Sequence, residues 1–177
     1  MKTVQVLDRK FELSISAERI SQEVKRVAAQ MDKDLEGKNP IMLGTLNGAF
    51  VFTADLVRAM SIPMEVTFVK MASYSGMSST GEVKQLVGLK ENIEGRTVVI
   101  VEDIIDSGRT MVAMLEMLKA MKPAEIKICS LLVKPDALKV KLDIDYVCLN
   151  IPNDFIVGYG LDYDGYGREL PDIYTCI

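Results

Sequence analysis

Residues 98–110 read VVIVEDIIDSGRT. The opening apolar, β-branched run is typical of a strand that is buried on both faces, and the Ser-Gly turn leads into a segment with helical spacing. Glu102, Asp103 and Asp106 lie between the strand and the helix. Because ligands of parallel α/β sheets bind at the carboxyl ends of the strands, this turn is the predicted functional site.

The rest of the chain continues the alternation of strands and helices. Apolar runs predict strands at 41–46, 64–71, 97–101, 126–133 and 146–151, with a weaker strand pattern at 83–89. Helical spacing predicts a first helix with Ser16 as its N-cap, a second at 49–60 and a third at 108–121. The sequence thus predicts an α/β fold with a largely parallel central sheet, right-handed crossovers and helices on both faces. The tail from Pro152 is expected to be loop-rich, and the Ser- and Gly-rich stretch 73–81 to be mobile.

Length and composition narrow the class of function. A chain of 177 residues is long enough for one domain, expected to span 1–177. The net charge of −4 gives no cationic excess for nucleic acid or an anionic membrane, so we expect a small-molecule partner. No histidine is present, which excludes Ser-His-Asp and Cys-His catalysis and HExxH zinc sites. Any general base must be a carboxylate, Lys, Tyr or Cys.

The three cysteines are widely spaced and contain no CxxC pair, which favours a reducing, cytoplasmic location over a disulfide framework or a zinc site. Neither a signal peptide nor an apolar run of about 18 residues is found, so we expect no membrane association.

The turn after the buried strand is suited to an anion. Ser107, Gly108, Arg109 and Thr110 place backbone N–H groups and hydroxyls at a helix N-terminus, where the helix dipole favours a phosphate. The P-loop pattern GxxxxGK[ST] and a GxGxxG behind a strand are both absent. A purely structural alternative is that the acidic residues only cap the following helix.

The segment VVIVEDIIDSGRT closely resembles the phosphoribosyl-pyrophosphate motif of the type I phosphoribosyltransferases, in particular their hypoxanthine-guanine branch. Four other segments match in order: LNGAFVF (46–52) resembles the pyrophosphate loop, KMASYSG (70–76) the lid, KP at Lys134 the purine-binding segment, and IPNDFIVGYGLDYDGYGREL (151–170) the hood. The resemblance implies the type I phosphoribosyltransferase fold, with a small hood formed by N-terminal residues and about 152–177.

The same resemblance implies a reaction. In it, N9 of a 6-oxopurine attacks C1 of phosphoribosyl pyrophosphate with Mg²⁺ as cofactor, and pyrophosphate leaves. Hypoxanthine would give IMP and guanine GMP, as in purine salvage. The implied partners are these two substrates and further copies of the chain, as a homodimer or homotetramer. A xanthine enzyme of the same family and a non-catalytic regulator that binds phosphoribosyl pyrophosphate remain alternatives.

At the sugar and the 5′-phosphate, the resemblance implies that Glu102 and Asp103 hold the ribose hydroxyls directly or through metal. Asp106 would be the catalytic residue near purine N7, or, in the structural alternative, a helix cap. The 5′-phosphate would be bound by the turn of residues Asp106, Ser107, Gly108, Arg109 and Thr110. Asp162 would bind a second magnesium through water.

At the pyrophosphate and the base, the resemblance implies further contacts. The backbone of Leu46, Asn47 and Gly48 would meet the pyrophosphate across a cis peptide between Leu46 and Asn47, although Asn47 departs from the basic residue often found in relatives. The remaining implied contacts are a pyrophosphate clamp (Arg168), a closing lid (Ser73, Tyr74), a donor to purine O6 (Lys134), a stacking ring (Phe155) and backbone contacts (Ile156). Without the resemblance, residues 46–48 also fit an ordinary strand-to-helix turn. Lys134 and Arg168 also fit surface charges, and Phe155 and Ile156 also fit core residues.

Overall fold

The computed structural model describes residues 2–75 and 82–177. In this part of the chain the strands are β1 (Thr3–Val6), β2 (Arg9–Ile15), β3 (Ile41–Thr45), β4 (Glu65–Ser75), β5 (Glu82–Val87), β6 (Thr97–Ile105), β7 (Glu125–Val133), β8 (Tyr146–Asn150), β9 (Ile156–Val157) and β10 (Ile173–Cys176). The α-helices are α1 (Ala17–Asp34), α2 (Phe50–Ala59) and α3 (Arg109–Lys119). From the helix capped by Ser16 to residue 151 the predicted order of helices and strands is confirmed, with ends that shift by a few residues.

The larger sheet has six strands in the order β5-β4-β3-β6-β7-β8. Strands β4, β3, β6, β7 and β8 run parallel to one another. Strand β5, at one edge, runs antiparallel to its neighbour β4. The α/β class and the largely parallel sheet predicted from the sequence are therefore confirmed.

Strand β6 shows why the sheet is buried on both faces. Val98 and Ile100 pack in one cluster with Met114 of α3, whereas Val99 and Val101 pack in another with residues of α1 and α2. Successive side chains of a strand point to opposite faces, so an unbroken apolar run suits a strand that is covered by helices on both sides.

The smaller sheet is antiparallel, in the order β1-β2-β10-β9. We call this sheet, together with the segment between β9 and β10, the hood. Its core holds Phe11 and Tyr174, both almost fully buried. The tail was expected to be loop-rich, and β9 and β10 were not predicted. They contain only two and four residues, and their partners are far away in sequence, so local periodicity gives little signal for them.

Asp172 ties the hood to the rest of the chain. Its carboxylate accepts hydrogen bonds from the backbone N–H of Ala17 at 2.8 Å, from Lys2 Nζ at 2.6 Å and from the Tyr174 hydroxyl at 3.0 Å. The start of α1 and β1 are thereby anchored beside β10. Among the described residues, none of the helices is both long and apolar enough to cross a membrane.

Candidate active site

Strand β6 ends in a pair of acidic residues that is turned toward the end of β3. Thr45 Oγ1 lies 2.5 Å from Glu102 Oε1, and the Asp103 backbone N–H donates to the same oxygen at 3.2 Å. Asp103 faces Gly48, where an added Cβ atom would overlap its carboxylate and force that side chain to move. Burial, followed by the neighbouring Asp103 carboxylate, raises the pKa of Glu102 well above its ordinary value.

The two carboxyl groups therefore act on one another. Strand alternation predicts that adjacent side chains face opposite ways, but here both contact the segment 45–48, and the Asp103 carboxylate contributes to the raised pKa of Glu102.

The turn that follows forms the predicted anion site. A small cavity of about 120 Å³ is lined by Glu102, Asp106, Ser107, Gly108 and Thr110, among others. Gly108 is the N-cap of α3 in the left-handed conformation, with φ of 78°, and it has no side chain that could cap the helix. The alternative that Asp106 only caps this helix is therefore wrong. Thr110 and Met111 of the first turn of α3 line the same cavity, and N–H groups of a first helical turn have no partner within the helix, which favours an anion there.

Arg109 is the first residue of α3, and its backbone N–H donates to Ser107 Oγ at 3.4 Å. The Arg109 side chain is exposed.

Lys134 and Asp106 are brought together by the parallel pairing of β7 with β6. Lys134 follows β7 directly and is only 8% exposed, so it is not a solvated loop lysine. Its Nζ donates to Asp106 Oδ2 and to Asn153 Oδ1, both at 3.4 Å. Sequence reasoning missed Asn153, which no local pattern marks except its position two residues before Phe155.

Phe155, two residues after Asn153 in the chain, presents an aromatic surface to solvent. Its side chain is 44% exposed, and its ring packs edge-on against Tyr163, with centroids 5.6 Å apart. The Arg9 guanidinium lies 5.5 Å from the Phe155 ring centroid, a contact that the sequence did not indicate. Ile156 is buried in the core, as its structural alternative held, and its backbone pairs with Thr175. The exposed part of the Phe155 ring is suited to stacking with a planar base.

Between β3 and α2 the chain makes a tight turn at residues 46–48. The Leu46–Asn47 peptide bond is cis, as the resemblance implied. The Leu46 backbone N–H donates to the Val69 carbonyl at 2.8 Å, and the Phe50 N–H to the Asn47 carbonyl at 3.3 Å. The turn thus opens directly into α2.

Asp162 and Arg168 form an ion pair within the hood instead of two separate surface charges. Arg168 Nη2 lies 2.8 Å from Asp162 Oδ1, and Arg168 Nη1 donates to the Gly160 carbonyl at 2.6 Å. The Gly165 N–H donates to the other Asp162 oxygen at 2.6 Å. The guanidinium is therefore held in a fixed position.

Ser73 and Tyr74 belong to β4, but their side chains fall outside the described part of the structure. Residues 76–81, most of the expected mobile stretch, lie outside it as well.

Comparison with known proteins assigns this arrangement to a class. A sequence model described as the phosphoribosyl transferase domain matches residues 14–164. The chain belongs to the phosphoribosyltransferase family, and its fold is the type I phosphoribosyltransferase fold.

The similar proteins of known name belong to one type within the phosphoribosyltransferase family. The chain is similar to a hypoxanthine-guanine phosphoribosyltransferase of Streptococcus pyogenes, with 47% identity over 153 residues that cover 86% of this chain and 85% of the relative. The enzyme of the same name from Streptococcus thermophilus is 44% identical over 88% of this chain and 87% of its own length.

Solved structures agree with these sequence relatives. A hypoxanthine-guanine phosphoribosyltransferase of Bacillus anthracis superimposes with a TM-score of 0.86 at 38% identity, covering 94% of this chain and 98% of the other. A hypoxanthine phosphoribosyltransferase of Trypanosoma cruzi gives 0.84 at 35% identity, over 93% and 95% of the two chains.

Proposed function

We propose that this protein is a purine salvage enzyme that transfers the 5-phosphoribosyl group of phosphoribosyl pyrophosphate to hypoxanthine and guanine, giving IMP or GMP and pyrophosphate. The observation that carries the proposal is the position of Asp106, which lines the anion cavity and also contacts Lys134. One residue thereby joins a site for the 5′-phosphate to a site for a base. The names of the relatives support the same reaction.

At the base, Lys134 donates a charge-assisted hydrogen bond to purine O6, which favours oxo over amino purines. Phe155 stacks on the ring, and the backbone of Ile156 contacts its edge. Asp106 exchanges a proton at N7 while N9 becomes nucleophilic, a role that falls to a carboxylate because the chain has no histidine.

At the sugar, Glu102 and Asp103 bind the ribose hydroxyls, and their negative charge stabilises the positive charge that develops at C1 as the bond to pyrophosphate breaks. The leaving pyrophosphate is bound by the backbone of residues 46–48 and by Arg168, whose planar guanidinium matches phosphate oxygens. Ser73 and Tyr74 close over it and keep water away from the reactive sugar.

We further propose Mg²⁺ as the cofactor. The described residues contain no group of three or more potential metal-binding side chains. Mg²⁺ in nucleotide sites is held by one or two carboxylates together with substrate phosphates and water, so the donors present fit it. Glu102 and Asp103 would hold one ion and Asp162 a second through water. When bound, the metal neutralises charge on the pyrophosphate.

We also propose that residues 1–177 act as a single domain, in the cytoplasm, and assemble as a homodimer or homotetramer. The three unpaired cysteines support a reducing compartment. Phe50, which is 42% exposed and lines a mainly apolar groove of about 710 Å³, supports contact with a second copy. Sedimentation equilibrium would give a monomer mass if the assembly is wrong.

The proposed reaction is tested by steady-state kinetics with phosphoribosyl pyrophosphate, Mg²⁺ and one of four bases: hypoxanthine, guanine, xanthine or adenine. We expect IMP and GMP to form, with kcat/KM for adenine lower by at least about tenfold, since Lys134 cannot donate to an amino group. Preference for xanthine would instead identify the related xanthine enzyme. Binding of phosphoribosyl pyrophosphate without consumption of any base would identify the regulator.

A further inference from the structure

The hood approaches the turn at residues 46–48 through the backbone of Gly160. Gly160 has φ of 97°, and a Cβ atom there would overlap the Gly48 carbonyl oxygen. The Gly160 carbonyl in turn accepts a hydrogen bond from Arg168 at 2.6 Å. Gly160 is therefore in contact with both groups that the proposed function assigns to the pyrophosphate.

A side-chain hydrogen bond next to this contact joins the same two parts of the molecule. The Tyr159 hydroxyl donates to Asp55 Oδ2 at 2.6 Å. Asp55 lies on α2, the helix that residues 46–48 open into, whereas Tyr159 lies in the hood just after β9.

Tyr159 is only 7% exposed, and burial, followed by the Asp55 carboxylate, raises its pKa above the ordinary value. The hydroxyl therefore keeps its proton and remains a donor throughout the physiological pH range.

We infer that Tyr159 and Asp55 are positioning residues for pyrophosphate binding. Their hydrogen bond fixes α2 to the hood, and so holds the backbone of residues 46–48 and the Arg168 guanidinium at a constant separation. Neither residue is required to touch the substrate. The inference rests on the proposed function, because that function assigns residues 46–48 and Arg168 to the pyrophosphate.

A second pair provides a matched control. The Tyr146 hydroxyl donates to Asp34 at 3.1 Å, and Tyr146 is 2% exposed, so it resembles Tyr159 in chemistry and burial. This pair joins β8 to the C-terminal end of α1, whereas residues 46–48 lie between β3 and α2 and the segment 159–168 lies between β9 and β10. Tyr146→Phe thus measures the structural effect of losing one buried Tyr–Asp hydrogen bond.

The experiment compares Tyr159→Phe, Tyr146→Phe and Arg168→Ala by steady-state kinetics and thermal unfolding. For Tyr159→Phe we expect the KM for phosphoribosyl pyrophosphate and the inhibition constant of pyrophosphate to rise about tenfold, while the KM for hypoxanthine changes less than about twofold. Tyr146→Phe should leave all three constants unchanged.

Changes at Asp55 test the pair from its other side. Asp55→Asn keeps an acceptor oxygen and should restore most of the affinity that Asp55→Ala loses, and Tyr159→Phe combined with Asp55→Ala should cost no more than either change alone. Fully additive effects would overturn the inference.

The two hypotheses fail differently. If Tyr159→Phe behaves like Tyr146→Phe while Arg168→Ala weakens binding of phosphoribosyl pyrophosphate, the positioning role is wrong and the proposed function stands. If the wild type forms no nucleotide, or Arg168→Ala leaves affinity for phosphoribosyl pyrophosphate unchanged, the proposed site and the inference are both overturned.

Discussion

The Asp106 side chain is 56% exposed although its carboxylate contacts the buried Lys134 at 3.4 Å. It is therefore accessible to a base that enters beside Lys134. We predict that Asp106→Asn lowers kcat by about 10²- to 10⁴-fold, because proton exchange is lost, while both substrate KM values change little. Single-turnover measurements check this, and an unchanged turnover would remove the catalytic role.

Ionisation of Glu102, a residue of the candidate site, lowers the stability of the folded protein. Because folding raises the pKa of Glu102, this carboxyl ionises at lower pH in the unfolded chain, from 4.5 upward, than in the folded protein. The free energy of unfolding of the wild type therefore falls as the pH rises from 4.5 toward the folded-state pKa. Glu102→Gln avoids this loss. We predict that Glu102→Gln has a higher Tm than the wild type at pH 8, by about 2–4 °C for each kcal/mol gained in the free energy of unfolding. Near pH 4 the two proteins should have the same Tm. The variant should transfer the phosphoribosyl group more slowly.

Calorimetry at both pH values tests this prediction. The exposed Glu116→Gln is the control, and it should leave the Tm difference between pH 4 and pH 8 as it is in the wild type. A Glu102→Gln protein that is less stable at pH 8 would show that the carboxylate is needed for folding.

Lys134 sets the preference for the base in the proposed reaction. We predict that Lys134→Met raises the KM for hypoxanthine by at least about tenfold, since a charge-assisted hydrogen bond is worth about 1.5–3 kcal/mol. The KM for phosphoribosyl pyrophosphate should stay within about twofold. The control is the exposed Lys141→Met. Wild-type purine kinetics in Lys134→Met would contradict the assignment.

At the level of elements, Asp172 joins β10 to the start of α1 and to Lys2 before β1. Lys2, followed by the Ala17 N–H, lowers the pKa of Asp172. Its contribution to stability is therefore present above the ordinary value of 3.8 and is lost as the pH falls through the lower folded-state value.

We predict that Asp172→Asn lowers the free energy of unfolding by about 1–3 kcal/mol at pH 7, and by less as the pH approaches 3. Urea unfolding at several pH values measures this difference. The exposed Asp143→Asn should have no such effect.

How far the sequence predicts each element depends on the distance of its partners. The run at 98–101 identified its strand because burial on both faces leaves a continuous apolar pattern, and Ser16 was identified as a cap because its bond to the Arg19 N–H is local. The hood strands depend on pairing between β10 and β2, more than 150 residues apart in the chain, which no local pattern encodes.

The same distinction holds within the site. The acidic turn at 102–110 was predicted from residues that are adjacent in the sequence. The site residues in other segments were predicted only through the family resemblance. The contacts of Asn153 with Lys134, Arg9 with Phe155 and Tyr159 with Asp55 were missed because each joins separate elements.

For the whole molecule, the proposed substrates connect the six-stranded sheet with the hood. We predict that phosphoribosyl pyrophosphate with Mg²⁺, at about 100 times its Kd, raises the Tm by about 5–10 °C in a single transition, because about 2.7 kcal/mol of binding energy is added to the folded state. Removing Mg²⁺ with EDTA should abolish most of the rise. Two separate transitions, of which only one shifts, would show that the two sheets unfold independently.

The strand order of the hood also governs when it can form during translation. Strand β10 lies between β2 and β9, and it is synthesised after every strand of the larger sheet. A nascent chain that has not yet exposed residues 173–176 to solvent can assemble the six-stranded sheet, but β2 and β9 then lack the neighbour that joins them. Base binding should therefore appear only after residues 173–176 have left the ribosome.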